Sequence, residues 1–586
     1  MRTNSKMAIQ PEISLAPADR PWLASYPPGV PHDIDPEFYA SLVGLLEDSV
    51  RRFAQRPAFS ALGDTMSYAD LDRYSRAFAT FLQQSLRLAK GERIAIMMPN
   101  VLQYPVVLFG ALRAGLVVVN TNPLYTAREL KHQLNDADAH TIVVLENFAH
   151  VLASCIADTP VRNVLVARTG DMSFFPKSVA LNFAVKHIKK IVPRYDIPGE
   201  IPLSYAFEEG GVGTFERVDV GPDDLAFLQY TGGTTGLARG AMLTHRNMVA
   251  NVEQAAAWIR PHVTEGQEVI ITALPLYHIF SLTANCLTFM KIGGLNQLIP
   301  NPRDMRGFVR TLRPIRFSAI SGVNTLFNGL LNTRGFDKQN FSALKVSLAG
   351  GTALQKTTAD RWAATTGSTI AEAYGLTEAS PAVCINPLDL DEYNGCIGLP
   401  VPSTEVSIRD EQGVALGANE AGELWVRGPQ VMRGYWRQAE ETAKVLSDDG
   451  WLRTGDIGEM QPDGYVRLLD RKKDVILVSG FNVYPNEVED AIAELEGVRE
   501  VGVIGVRDTD TGEAVLAVIV KGDPSITELQ VRKHCREVLT AYKQPAHILF
   551  VSELPKNNVG KVLRRELRKQ YAEPGSAKVE TTQKAG

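Results

Sequence analysis

The sequence predicts an α/β fold, with a large N-terminal domain of mostly parallel sheets flanked by helices and a small α+β C-terminal domain. Two observations support this. From Phe38 to about Asp470, short apolar runs alternate with amphipathic stretches, as expected of βαβ units. From about residue 471 the pattern changes to a few strands and one helix, which predicts a separate unit. A chain of 586 residues is long enough for several such units.

The individual elements follow from periodicity. Asp70–Gln84 has the apolar spacing of an amphipathic helix, and another helix is predicted from about Arg246. Buried strands are predicted at Arg93–Met97, Leu116–Val119, Thr141–Leu145 and Asp224–Tyr230. The C-terminal unit has predicted strands at Val501–Val506, Val515–Val520 and Ile548–Val551 and a helix at Glu528–Leu539. The predicted divisions are an irregular proline-rich segment at 1–40, a large domain at 41–470, a small domain at 471–570 and a disordered tail at 571–586.

Composition excludes several classes of protein. The net charge of -5 and the pI near 6.1 argue against nucleic acid as a partner. Five cysteines without CxxC spacing predict neither a disulfide framework nor a zinc site, and they fit a reducing cytoplasm. The N-terminus has no apolar core of a signal peptide, and the most apolar stretch, Ile94–Val119, is interrupted by polar residues. We therefore expect a cytoplasmic protein without a spanning helix.

Residues 171–200 differ from their surroundings. Phe174 and Phe175 precede Pro176, and apolar and basic residues then alternate up to Pro193. One interpretation is a helix resting on the anionic inner face of the cytoplasmic membrane, where each Lys or Arg contributes about 1 kcal/mol. The other is a solvated helix packed on its own protein. Peripheral membrane contact is therefore a hypothesis at this stage.

A loop rich in glycine and threonine runs from Thr231 to Gly240. Glycine allows the turns that aim backbone N–H groups at an anion, threonine adds hydroxyl donors, and Arg239 adds positive charge. The loop lacks the Gly-Lys-Ser/Thr ending of a Walker A motif. A plain surface loop is the alternative, but the position between a predicted strand and a helix favours phosphate binding. The candidate phosphate ligands are Thr231, Gly232, Gly233, Thr234, Thr235, Gly236 and Arg239.

This loop resembles the phosphate-binding signature of the adenylate-forming superfamily, the AMP-forming ligases. Where that family usually has Pro-Lys-Gly, this chain has Ala238-Arg239-Gly240. Arginine can hold phosphate oxygens through two parallel hydrogen bonds, so phosphate binding is still expected. By this resemblance the region 41–470 is an adenylation domain.

Other motifs occur in the family's order. Gly350–Leu354, with Gly351, resembles the turn beneath the adenine, and Glu372–Glu378 resembles the second core motif. The resemblance implies that Glu372, Ala373 and Tyr374 contact the nucleotide, with Tyr374 stacking on adenine. It also implies that Thr377 bonds the α-phosphate and the acyl oxygen. Glu378 would hold Mg²⁺ with Thr231 as the partner ligand, since Mg²⁺ prefers oxygen ligands.

Further positions complete the resemblance. Asp456, in a Thr-Gly-Asp sequence, and Arg471 would contact the ribose, and Lys473 would be the pivot between the domains. Lys561, in a Gly-Lys pair before a basic helix, would bridge the attacking carboxylate and the phosphate oxygens, where negative charge converges. His278 would lie near the acyl carboxylate. Taken singly, these residues also fit exposed turns, surface cations and a structural histidine.

The resemblance is strongest to bacterial long-chain fatty acid–CoA ligases, over about residues 20–570. It includes Met97–Asn100, Asn122–Tyr125, Pro275–Phe280, Ile397–Pro402 and Ser479–Glu487. It implies that a long-chain fatty acid, ATP and CoA are substrates, that Mg²⁺ is required, and that an acyl-adenylate is the intermediate. The small domain would be mobile and would rotate between the two steps, bringing Gly480 towards the active site.

A long acyl chain requires an apolar tunnel, because each buried methylene contributes about 0.8 kcal/mol. The candidate lining residues are His278, Ile279, Phe280, Leu282, Val323, Leu326 and Phe327. For most of them an ordinary core position is an equal alternative. Some long-chain members have a gating Trp four positions after the His, but this chain has Leu282 there.

Two other functions share parts of this sequence pattern. One is an adenylating enzyme with a different acceptor, such as a carrier-protein thiol or an oxygen. The other is a non-catalytic protein that binds nucleotide and lipid, which is disfavoured because the magnesium, phosphate and lysine positions are all filled. The sequence leaves the oligomeric state open, including a homodimer.

Overall fold

The computed structural model describes residues 20–231, 238–509, 511–557 and 560–572. The strands in these residues are β1 Pro57–Ala61, β2 Asp64–Ser67, β3 Arg93–Met97, β4 Val117–Asn120, β5 Thr141–Leu145, β6 Asn163–Ala167, β7 Ile201–Pro202, β8 Leu225–Thr231, β9 Arg239–Thr244, β10 Val269–Thr272, β11 Leu295–Leu298, β12 Ala319–Gly322, β13 Val346–Gly350, β14 Ile370–Gly375, β15 Ala382–Ile385, β16 Leu399–Pro400, β17 Glu405–Arg409, β18 Gly422–Arg427, β19 Leu452–Met460, β20 Val466–Arg471, β21 Ile476–Val478, β22 Phe481–Val483, β23 Val498–Asp508, β24 Gly512–Lys521 and β25 His547–Val551.

The α-helices are α1 Leu42–Phe53, α2 Tyr68–Gln84, α3 Gln103–Arg113, α4 Ala127–Ala137, α5 Ala149–Ala153, α6 Lys177–Phe183, α7 Leu203–Val212, α8 His245–Ile259, α9 Thr288–Lys291, α10 Met305–Leu312, α11 Asn324–Leu331, α12 Lys356–Thr366, α13 Ala439–Val445, α14 Pro485–Ala493, α15 Glu528–Val538 and α16 Arg564–Tyr571. Two π-helical segments, Ala184–Ile188 and Ser281–Leu287, continue α6 and precede α9. Short 3-10 turns occur at Pro21–Ser25, Glu146–Phe148, Ile156–Asp158, Arg260–His262, Thr377–Ala379 and Ala541–Lys543.

Two large sheets form the centre of the N-terminal domain. One has nine strands in the order β16-β15-β14-β13-β12-β10-β11-β1-β2, and the other has seven in the order β7-β6-β5-β3-β4-β8-β9. Their inner strands are parallel, and antiparallel pairs occur only towards the edges. Helix α3 is buried along its whole length, so it belongs to the interior of this domain. The predicted α/β fold with mostly parallel sheets is confirmed.

Two smaller sheets follow. Strands β17 to β20 form a four-stranded antiparallel sheet, and β21 to β25 form a five-stranded sheet that carries α14, α15 and α16. The second of these is the small C-terminal α+β domain that the sequence predicts. The connection between them runs from Arg471, at the end of β20, to Ile476, at the start of β21.

Local sequence explains the elements that were predicted most accurately. The helix predicted at Asp70–Gln84 begins at Tyr68, because Ser67 and Asp70 form a reciprocal capping box there. Strands β3 and β5 have the predicted bounds. Every residue of β5 is buried, as expected of an inner strand of a parallel sheet.

The glycine–threonine loop is part of a β-hairpin, which the sequence analysis did not predict. The sequence pattern predicts that the short run Ala241–His245 follows the loop and precedes a helix from about Arg246, but strand β9, Arg239–Thr244, occupies this place and pairs antiparallel with β8. Thr231 faces Arg239 across this pair, so the two ends of the loop are held side by side. The predicted loop residues Gly232, Gly233, Thr234, Thr235 and Gly236 lie outside the described residues.

Candidate active site

A cavity of about 1060 Å³ lies where the large domain, the four-stranded sheet and the small domain meet. It opens at the carboxyl ends of β13 and β14, which is where ligands bind in parallel sheets. Residues predicted as functional and found in its wall are Thr231, Arg239, His278, Gly351, Glu372, Ala373, Tyr374, Thr377, Glu378, Asp456, Arg471, Lys473 and Lys561. The fold therefore brings together residues from distant parts of the chain.

Gly480 is placed differently. It lies at the exposed tip of the hairpin between β21 and β22, with a φ of 84°, and it is not part of the cavity wall. The predicted role of this residue requires the rotated domain arrangement, so the position in this structure does not test it.

The predicted ribose site is held together by hydrogen bonds. The buried carboxylate of Asp456 accepts a bond from the hydroxyl of Tyr374 at 2.6 Å and lies 3.3 Å from Nε of Arg471. Burial and the nearby Asp456 raise the pKa of Tyr374, so its hydroxyl stays protonated and acts as the donor. The Tyr374 hydroxyl and the Arg471 guanidinium thus fix the orientation of Asp456, leaving a carboxylate in the wall as an acceptor for hydroxyl groups.

Lys561 reaches the cavity from the small domain. The preceding Gly560 has a φ of 90°, and a Cβ there would lie 2.5 Å from Oγ1 of Thr325 in the large domain. The hydroxyl of Thr325 donates to the carbonyl of Gly560 at 3.3 Å. Glycine is therefore required for this close approach, which carries Lys561 across the domain interface. Burial, and then the charge of Arg471, lower the pKa of Lys561 to about 8.

His278 lies in the same wall as Lys561. Burial, and then the Lys561 ammonium, lower its pKa to about 4, so the imidazole is neutral near pH 7. The backbone N–H of Phe280 donates to Nδ1 of His278 at 3.4 Å. An accepting Nδ1 places the proton on Nε2, so this nitrogen is the hydrogen-bond donor of the side chain.

Two side chains that were not predicted from the sequence contact predicted site residues: Tyr435 bonds the predicted metal ligand Glu378, and Glu441 pairs with the predicted phosphate ligand Arg239. The hydroxyl of Tyr435 donates to Oε1 of Glu378 at 2.7 Å, and Oε2 of Glu441 lies 2.6 Å from Nη2 of Arg239. Neither Tyr435 nor Glu441 lies in one of the sequence motifs that resemble the adenylate-forming family. The Gly-Tyr-Trp run before α13 was the available signal, but it has no distinctive spacing.

A pair of acidic residues faces across the domain interface. Glu372 on β14 is fully buried in the closed interface, and burial raises its pKa to about 8. Asp490 on α14 of the small domain contributes to this shift. The backbone N–H of Leu354 donates to Glu372 at 3.2 Å. At neutral pH, Glu372 is therefore mostly a neutral group beside the nucleotide residues.

A second, apolar part of the cavity crosses the face of the nine-stranded sheet. One wall is a face of α8 with Asn251, Ala255 and Ile259, spaced by four residues, and the other is β13 with Val346, Leu348 and Gly350, spaced by two. Along β13 this part extends ~13 Å, at about 3.3 Å per residue. Its far end is formed by Ile259, Ile270, Val346 and Phe289.

The predicted acyl-binding residues are only partly correct. His278, Ile279 and Phe280 are in the cavity wall, whereas Leu282, Val323, Leu326 and Phe327 are not. The ring of Phe327 packs against Trp362 of α12, with centroids 4.8 Å apart, so this side of α11 is core. Apolar spacing alone does not distinguish a wall from a core, which is why the α8 residues were missed.

The fold and this site are those of an adenylate-forming enzyme. Residues 46–436 match the family described as AMP-binding enzyme, and residues 487–561 match the AMP-binding enzyme C-terminal domain. The chain therefore belongs to the AMP-binding enzyme family, and the predicted superfamily is confirmed.

Relatives narrow the class further. A long-chain-fatty-acid–CoA ligase of Escherichia coli O157:H7 is 52% identical over 93% of this chain and 97% of its own length. The enzyme of the same name from Bacillus subtilis (strain 168) is 38% identical over 95% of this chain and 99% of its own length. Among solved structures, ATP-bound MatB from Rhodopseudomonas palustris has a TM-score of 0.79 and 30% identity, covering 91% of this chain and 99% of that protein. The predicted resemblance to bacterial long-chain fatty acid–CoA ligases is confirmed.

Proposed function

We propose that this protein converts long-chain fatty acids to acyl-CoA in two steps, through an acyl-adenylate. One observation carries the proposal: a single cavity joins the nucleotide residues Tyr374, Asp456 and Lys561 to an apolar channel between α8 and β13. Carboxylate chemistry at one end and burial of an alkyl chain at the other are the two requirements of this reaction. The similarity to long-chain-fatty-acid–CoA ligases supports the same substrates.

In the first step, a carboxylate oxygen of the fatty acid attacks the α-phosphorus of ATP. The bond to the bridging oxygen breaks, and pyrophosphate leaves with that electron pair. Lys561 supplies positive charge where carboxylate and phosphate meet, and the Nε2–H of His278 and the hydroxyl of Thr377 orient the acyl and phosphate oxygens.

The residues present fit a magnesium ion at the phosphate end. Glu378 and Thr231 offer oxygen donors in the cavity wall. Within the described residues there is no group of three or more His, Cys, Asp or Glu side chains able to hold a metal. This donor set suits Mg²⁺, which takes few protein ligands and completes its shell with substrate phosphates and water. When bound, it would neutralise phosphate charge during pyrophosphate release.

In the second step, the CoA thiol gives up its proton and its sulfur attacks the acyl carbonyl; the bond between the acyl carbon and the phosphate oxygen breaks, and AMP leaves with that electron pair. Rotation of the small domain, with the pivot at Lys473, would withdraw Lys561 and bring the hairpin tip at Gly480 to the cavity. The exposed position of Lys473 between β20 and β21 is suitable for a pivot. The five cysteines are buried, and the reaction needs no covalent nucleophile.

The test is incubation of the full chain with ATP, Mg²⁺, palmitate and CoA. We expect palmitoyl-CoA, AMP and pyrophosphate in equal amounts. Palmitoyl-AMP without thioester would instead indicate a different acceptor, and the absence of both products would refute the proposal.

We also propose that residues 174–191 rest on the anionic inner face of the cytoplasmic membrane. Within the helix 177–188 only Val185 is buried, while Leu181, Asn182 and Ala184 are half-buried, so one face of the helix packs on the protein and the opposite face is exposed. Large apolar side chains are exposed there, with Phe174 and Phe175 each 83% exposed. Lys186, Lys189 and Lys190 are exposed in the same segment. Within the described residues, no helix has the length and apolarity needed to cross a membrane.

Co-sedimentation with vesicles containing anionic lipid tests the membrane proposal. Changing Lys186, Lys189 and Lys190 to Glu should abolish binding, whereas changing the same three residues to Arg should preserve it. Unchanged binding of the Glu variant would refute the contact. A homodimer stays a prediction, which light scattering of the purified chain tests.

A further inference from the structure

The segment 432–436 connects the predicted metal residue to the strand that follows the phosphate loop. The N–H of Met432 donates to the carbonyl of Glu378 at 2.7 Å, and the N–H of Trp436 donates to the carbonyl of Gly240 at 2.8 Å. Between them, Tyr435 forms an antiparallel bridge with Ala241. The backbone of Tyr435 is thus held beside both β9 and the Glu378 turn.

The side chain of Tyr435 lies between Glu378 and Arg239. Its hydroxyl donates to Oε1 of Glu378 at 2.7 Å. The guanidinium carbon of Arg239 lies 5.6 Å from the centroid of the Tyr435 ring, within the range of a cation–π contact.

Arg239 is held from its other side by α13. Its Nη2 lies 2.6 Å from Oε2 of Glu441, while the side chain also forms part of the cavity wall. A guanidinium carries five N–H donors in a planar fork, so an arginine can bond Glu441 and a phosphate oxygen in one orientation. A lysine, with a single ammonium on a flexible stem, would not be oriented in this way.

We propose that Glu441 and Tyr435 are positioning residues for the β- and γ-phosphates of ATP. Glu441 orients Arg239 towards the phosphates, and Tyr435 orients Glu378 for the metal that accompanies them. This inference rests on the proposed function, because it assumes that ATP is the substrate.

The test compares ATP with AMP, which lacks the β- and γ-phosphates. Binding is measured by calorimetry without fatty acid, so the readout does not depend on turnover. For Glu441→Gln and for Tyr435→Phe, we expect the Kd of ATP with Mg²⁺ to rise about tenfold, as for loss of one hydrogen bond to a charged group. The Kd of AMP should stay within about twofold. In EDTA, the effect of Tyr435→Phe should shrink and that of Glu441→Gln should persist.

Matched controls are Glu440→Gln, at an exposed position of α13, and Tyr465→Phe, at a half-buried tyrosine outside the cavity wall. Both should bind ATP and AMP as the unmodified chain does. Equal weakening of ATP and AMP, or no weakening of either, would refute the inference. If the variants refute the inference but the unmodified chain still makes acyl-CoA, the proposed function stands. If the unmodified chain binds no ATP, both the inference and the proposed function fail.

A double-mutant cycle tests the specific partnership. In an Arg239→Lys background, Glu441→Gln should have less than about half of its effect on the Kd of ATP, because the lysine is not oriented by Glu441. Additive effects would show that Glu441 does not act through Arg239.

Discussion

The two ends of the cavity are built in different ways. At the nucleotide end, the functional groups come from several kinds of element and from two domains: Thr377 lies in a turn, Asp456 in the middle of β19 and Lys561 in a loop of the small domain. At the acyl end, the wall consists of regular elements, chiefly α8 and β13. Phosphate chemistry needs particular side chains at particular points, whereas an alkyl chain needs only an apolar space of suitable length. Specific motifs therefore mark the first region and not the second.

The strongest test of this contrast removes one group at the nucleotide end. Lys561→Ala should reduce adenylation by about 10²–10³-fold, since a preorganised charge at the reacting atoms is lost. Thioester formation from preformed acyl-AMP should be unchanged. Both half-reactions can be followed by rapid quench, with Lys556→Ala as the control, because Lys556 pairs with Glu500 at 2.6 Å. An equal loss in both steps would contradict the assigned role of Lys561.

At the acyl end, filling space should matter more than any single bond. Ile259→Trp should shorten the channel, so that kcat/KM for palmitate falls about 10²-fold while that for octanoate changes little, at about 0.8 kcal/mol for each methylene excluded. A series of chain lengths measures the effect. If palmitate and octanoate are affected equally, the channel does not follow α8 and β13.

The pH profile should distinguish the two ends. Because the pKa of Lys561 is lowered to about 8, its ammonium is present below that pH and is lost as the pH rises through it. We expect kcat/KM for ATP in the adenylation step to fall about tenfold per pH unit above pH 8. Lys561→Arg should move this fall to higher pH, since the guanidinium stays charged. A profile unchanged in the Arg variant would assign the fall to another group.

A substitution in the hydrophobic core beside the channel should have the smallest effect on substrate preference. Phe327→Ala should lower the free energy of unfolding by about 3–5 kcal/mol, because it removes a buried ring from the contact with Trp362. The ratio of kcat/KM for palmitate to that for octanoate should not change. Denaturant unfolding measures the free energy of unfolding, and the chain-length series measures the ratio of kcat/KM values. A changed ratio would indicate that Phe327 lines the channel after all.

The sequence located most of the nucleotide site but not the contacts that support it. Lys561 and Asp456 were recognised because each lies in a short motif whose chemistry is specific. Glu441 was not, because an acidic residue in the first turn of a helix is common and only the fold brings it to Arg239. Likewise, strand β9 is not predicted, because its short apolar run looks the same in the sequence as a connection leading to α8.

From the sequence alone came the alternation of strands and helices, the division into a large and a small unit, and the candidate residues for phosphate binding. Tertiary structure decided which apolar faces border open space, since Leu348 on β13 and Phe327 on α11 are both apolar side chains of regular elements but only Leu348 lines the channel. It also decided the lowered pKa values of Lys561 and His278. Periodicity records which face of an element is buried, whereas cavity shape and desolvation depend on atoms brought together from distant parts of the chain.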